Sequence, residues 1–158
     1  IQVDYQLPSG ERLNAEYVGE DNAKHNPVML HRAVLGSLER FIGILLENFA
    51  GALPVWLAPE QAMVIPVAPA FNEYAGKVLE TLKKAGIRAV LDDSEQRMNA
   101  KIRAAQGQKI PYMFIIGENE ANEGKASIRL RTGKQMNGLT LEESVSFVLD
   151  KIEKKEEI

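Results

Sequence analysis

The chain has 158 residues, is 45% hydrophobic and 26% charged, and contains no cysteine. That composition excludes a disordered chain, and the lack of cysteine excludes a disulfide framework, a thiolate nucleophile and a thiolate zinc site within it. The net charge of −3 hides an uneven distribution, because residues 97–134 carry eight basic groups against three acids while residues 1–61 carry four against eight.

The amino end reads as β-structure. Ile1, Val3 and Tyr5 alternate with Gln2, Asp4 and Gln6, the period of a half-buried strand. Pro8-Ser9-Gly10 signals a turn, Leu13–Val18 a second strand, Gly19–Asn22 another turn and Pro27–Val34 a third strand. A sequence that opens in mid-strand is expected to belong to a longer one. A helix is expected from Ser37 to Asn48, where Ile42, Leu45, Leu46 and Phe49 form one apolar stripe. Ser37 stands where it caps the first N–H groups, and Gly51 stops the helix. Leu53–Pro59, with two prolines and a tryptophan, reads as a joint between two units.

From Ala62 onward strand and helix alternate. The pattern predicts strands at Met63–Val67, Ile87–Leu91 and Met113–Ile116, with helices at Phe71–Ala85 and Arg97–Gln106 between them. Gly117–Gly124 reads as a connection and Ala126–Leu130 as a hairpin partner. A last helix, Thr140–Ile152, is entered by a capping box from Thr140 to Glu143. Strand–helix–strand–helix–strand implies parallel pairing, and the hairpin adds an antiparallel strand, so the second unit is a layered α/β domain with a mixed sheet. No apolar run approaches the ~18–20 residues of a membrane helix.

The common nucleotide-loop, serine-nucleophile and zinc-protease motifs are absent. The informative segment is Val28–Arg40: an apolar strand, a glycine, a capped helix and an arginine in its first turn. Arg40 near the positive helix end is read either as a surface arginine or as a planar cation for a base or phosphate. His31, in an apolar strand, is read either as a hydrogen-bonded histidine or as a metal ligand. Gly36 is read as a turn or as a point of close approach. The basic zone of residues 97–134 is read either as a polyanion-binding surface or as ordinary solvated charge.

The run HRAVLGSLERFIGILLENFAG, preceded by Tyr17–Asn22 and followed by Leu53–Pro59, Ala85–Arg88, Lys101–Arg103, Gln108–Met113 and Ile128–Arg129, resembles the carboxy-terminal part of the threonyl-tRNA synthetase family. The resemblance covers essentially the whole chain in unbroken order. It implies that residues 1–52 are the end of a class II catalytic domain with its third motif. It implies that residues 53–158 are a class IIa anticodon-binding domain, an α/β fold with a mixed, mainly parallel five-stranded sheet flanked by helices. It places Arg40 against the adenine of ATP with Gly36 and Ser37 at the nucleotide turn, His31 as one of three zinc ligands and Gln2 in the threonine pocket. It places Arg103, Glu120 and Arg129 on the anticodon; Lys101, Lys109 and Arg131 are then candidates for phosphate contacts.

The cofactors implied are a zinc ion, whose site is incomplete in this chain, and ATP with Mg2+. The partners implied are threonine, ATP and tRNA(Thr), with no membrane and with a homodimeric full enzyme in the cytoplasm. The other zinc ligands and the first two class II motifs of the family lie upstream of residue 1, so this chain alone is expected to be inactive as a threonine–tRNA ligase. The alternative reading is a non-catalytic accessory module, for RNA binding or dimerisation, on the same fold.

Overall fold

The computed structural model describes residues 1–6, 8 and 12–156. The chain divides into two compact units, Ile1–Ile44 and Leu45–Ile158. Ser9 and Gly10 of the expected first turn lie outside the described residues.

The first unit is built from short pairs. Strand β1 (Gln2–Asp4) pairs antiparallel with β4 (Met29–His31), and β2 (Tyr17–Val18) pairs with β3 (Lys24–His25). The second and third strands are thus shorter than the alternation of Leu13–Val18 and Pro27–Val34 predicts. The Gly19–Asn22 turn is present, closed by the Asn22 N–H donating to the Gly19 carbonyl at 3.0 Å. Helix α1 (Leu38–Asn48) begins where the cap predicts, since the Arg40 N–H donates to Ser37 Oγ at 3.3 Å. Its Ile42 and Leu46 are exposed, and no residue before Val55 belongs to either hydrophobic cluster.

The second unit is a five-stranded sheet in the order β6-β5-β7-β8-β9, formed by β5 (Ala62–Pro66), β6 (Ala89–Leu91), β7 (Tyr112–Ile116), β8 (Lys125–Leu130) and β9 (Gln135–Thr140). β5 is parallel to both β6 and β7, whereas the β7–β8 and β8–β9 pairings are antiparallel. Helices α2 (Asn72–Lys84) and α3 (Met98–Gly107) supply the two crossovers. The expected connection at 117–124 is itself a helix, α4 (Glu118–Glu123), and α5 (Leu141–Glu153) closes the chain's regular structure.

Alternation along each strand divides the side chains between two faces. On one face Val64, Phe114 and Ile128 pack with Ala75, Val78 and Leu82 of α2 and Val148 of α5. On the other, Met63, Ile65 and Met113 pack with Ala105 and Ile102 of α3. Helix α3 packs on β5. The face-two side chains of β8 and β9 include Ser127, Arg129 and Gln135, polar where β5 and β7 are apolar. Among the described residues no helix is long and apolar enough to cross a membrane.

Candidate nucleic-acid interface and a partial small-molecule site

In the first unit the β1–β4 register sets Gln2 directly opposite His31. Both line an open concavity of about 430 Å³, with Ile1, Arg32 and Ala33 completing its wall. The imidazole Nε2 of His31 stands 4.0 Å from Asp4 Oδ2. Among the described residues no group of three or more His, Cys, Asp or Glu side chains is placed to hold a metal. A catalytic zinc takes three protein ligands, so the residues described here do not fit zinc by themselves. Further along, Gly36 lies in the left-handed region at φ +69°, which favours glycine, and turns the chain into α1. Ser37 Oγ donates to Glu39 at 2.7 Å while accepting from the Arg40 N–H. That hydroxyl's hydrogen bond holds the Glu39 carboxyl below its ordinary range. Arg40 is exposed on the first turn of α1.

In the second unit Glu120, on α4, is drawn back over the helix start. Its Oε2 accepts the Gly117 N–H at 3.0 Å, and its Oε1 accepts the Ser127 hydroxyl at 2.6 Å. A Cβ at residue 117 would sit 3.1 Å from that carboxylate, so the glycine makes room for it. Burial pushes the Glu120 carboxyl up, but the hydrogen bonds from Ser127, its own N–H and Gly117 outweigh it and hold it below its ordinary value. Ser127 and Arg129 are two residues apart on one strand and share its face, so the hydroxyl that Glu120 holds and Arg129 lie on the same side of β8. Arg129 carries a buried Nε that has no hydrogen-bond partner. Arg103 is exposed on α3, the helix that packs on this same side of the sheet. Neither arginine has an ion-pair partner among the described residues.

Two of the phosphate candidates are corrected by the structure. Lys101 is only 3% exposed, and its Nζ donates to the Asp92 carbonyl at 2.9 Å and the Pro66 carbonyl at 3.5 Å. It ties the carboxyl ends of β5 and β6 to α3 and does not face solvent. Arg131 Nη1 donates to the Leu53 carbonyl at 2.7 Å and the Lys109 carbonyl at 3.4 Å. Burial lowers its pKa, and its guanidinium anchors the Leu53 segment to the sheet. A helical period counted on charge alone does not tell a buried lysine from a solvated one. Lys109 itself is exposed. Sequence reasoning passed over Ser127, although a serine between Ala126 and Ile128 in an alternating strand already pointed to the non-core face.

Comparison with known proteins agrees with this architecture. Threonine–tRNA ligase of Treponema pallidum (strain Nichols) is 60% identical over 153 residues, 97% of this chain and 26% of the relative. The same ligase of Borreliella afzelii is 54% identical over 156 residues, 99% of this chain and 26% of the relative. The chain therefore spans about a quarter of the length of the curated relatives it matches. The crystal structure of the RNA binding domain of threonyl-tRNA synthetase from Cryptosporidium parvum superposes with a TM-score of 0.71 at 38% identity, over 95% of this chain and 38% of that one. Residues 61–151, which hold all five strands of the sheet, match the family model described as the anticodon binding domain, and the chain belongs to that family.

Proposed function

We propose that the second unit binds the anticodon loop of tRNA(Thr), and that residues 1–52 supply part of the ATP and threonine pocket of a threonine–tRNA ligase, residues 53–158 being its anticodon-binding domain. The observation that carries the reading is that Ser127, whose hydroxyl Glu120 holds, and Arg129 share one face of β8, on the side of the sheet where α3 carries Arg103. Unstacked loop bases expose Watson–Crick edges, to which a carboxylate accepts and a guanidinium donates. Hydrogen bonds that hold Glu120 ionised keep it an acceptor. The buried Nε of Arg129 is a donor that finds no acceptor among the described residues to offset its desolvation.

In the longer protein, ATP and threonine would give threonyl-adenylate and pyrophosphate, and the threonyl group would then pass to a hydroxyl of the tRNA end with release of AMP. Arg40 would stack on the adenine beside the Gly36–Ser37 turn, and Gln2 and His31 would face threonine. Their cross-strand register, opposite one another on β1 and β4, supports a shared pocket. ATP would bring Mg2+ with it. His31 is proposed as one ligand to zinc; the set is incomplete among the described residues, and no step is assigned to the metal. The longer protein is proposed to be a cytoplasmic homodimer.

The test is binding of the chain to the threonine tRNA anticodon stem-loop. Binding is expected to weaken with salt, and Arg129→Ala to cost ~1–3 kcal/mol, the size of a base-edge contact. Equal affinity for an unrelated stem-loop at moderate salt rejects the reading.

A further inference from the structure

Strand β9 carries two exposed amides on the side of the sheet that Arg129 faces. Gln135 lies directly across from Arg129 in the β8–β9 register, which brings their Cβ atoms to roughly 5 Å. Its Nε2 donates to Asn137 Oδ1 at 2.8 Å, so the two amides form one unit. The ladder is irregular at this point: Ala126 pairs with Leu139 and Ile128 with Met136, leaving Asn137 and Gly138 together opposite Ser127. Gly138, the second of the two, takes φ +70°, in the left-handed region that favours glycine. Met136 and Leu139 keep their places on the opposite, apolar face. The bulge thus re-aims the polar side of the strand without disturbing the core.

We propose that the Gln135–Asn137 amide pair is a base-reading element, which takes the edge of one unstacked nucleobase beside Arg129. The inference rests on the anticodon reading above. Whichever amide donates to the other, the pair is left with one uncommitted carbonyl and three N–H donors outside the shared bond. An adjacent donor and acceptor complement the Watson–Crick edge of a base, whereas a phosphate offers acceptors only. The guanidinium across the ladder would supply the charged donor to the same nucleotide or the next.

The chain carrying Gln135→Ala together with Asn137→Ala is compared with Arg129→Ala and the unaltered chain. Each is titrated with the anticodon stem-loop and with three versions in which one anticodon base is changed at a time, at fixed salt. The double variant is expected to lose about tenfold in affinity for the unaltered loop and to lose discrimination at one base position. Gln135→Glu keeps the side chain's size without its donor, and is expected to change the preferred base at that same position while still binding. If Arg129→Ala weakens binding while the double variant binds and discriminates like the unaltered chain, the amide proposal is overturned and the anticodon reading stands. A uniform loss across all four loops also overturns it, since that marks a backbone contact. If neither variant weakens binding, the anticodon reading itself fails.

Discussion

The two units contain similar apolar side chains and treat them oppositely. In Ile1–Ile44, Leu30 is 67% exposed and Val34 73%, and β1 and β4 pair over only three residues. In Leu45–Ile158, Val64, Phe114 and Ile128 are fully buried between the sheet and its helices. Both units show clear local signals, with alternation in the strands and a serine or threonine cap at the helix. Local signals are enough to form an element. They do not give that element a second layer, and two-stranded ribbons without one bury little.

The largest test of the comparison is a pair of truncations. Phe114→Ala should cost ~3–5 kcal/mol in urea denaturation, whereas Leu30→Ala should stay within ~0.5 kcal/mol of the unaltered chain. Equal losses would break the distinction between the units. Next come the two cations that the second unit uses internally. Lys101→Met or Arg131→Ala should each cost ~1–3 kcal/mol, because each leaves carbonyls without their charged donor. Arg129→Met removes a buried N–H that has no partner, so the same denaturation series should place it at or slightly above the unaltered chain. A large loss there would show that Arg129 serves the fold instead.

The Thr140 cap is smaller. Its Oγ1 accepts the Glu143 N–H at 3.2 Å while Glu143 reaches back to the Thr140 N–H at 2.8 Å. Thr140→Ala should cost ~1 kcal/mol, read from the shift of the urea midpoint. Ser37→Ala should leave the stability of the second unit unchanged. The smallest effect is the pH dependence due to Glu120. Its folded pKa lies below the ordinary 4.5, so its stabilisation is present above that value and is lost as pH falls through the lowered one. Thermal melts should show this acid-side loss and show it reduced in Glu120→Gln.

The sequence alone determined the periodic elements and their ends. The parallel strands β5 and β7, helix α2 with its apolar face, and the Thr140–Glu143 box were all legible, because each is encoded by neighbours a few residues apart. Tertiary structure decided the rest. Gln135–Thr140 is polar and interrupted by Gly138, and becomes a strand only because β8 offers it an unpaired edge. Glu118–Glu123 has no apolar stripe, and becomes helical where Glu120 finds both the Gly117 N–H and the Ser127 hydroxyl. Lys101, Arg103, Arg129 and Arg131 are alike in a charge count. The two that meet backbone carbonyls serve the fold, and the other two have no ion-pair partner among the described residues. Composition cannot carry that difference, because the cost of burying a cation depends on which acceptors the fold brings to it.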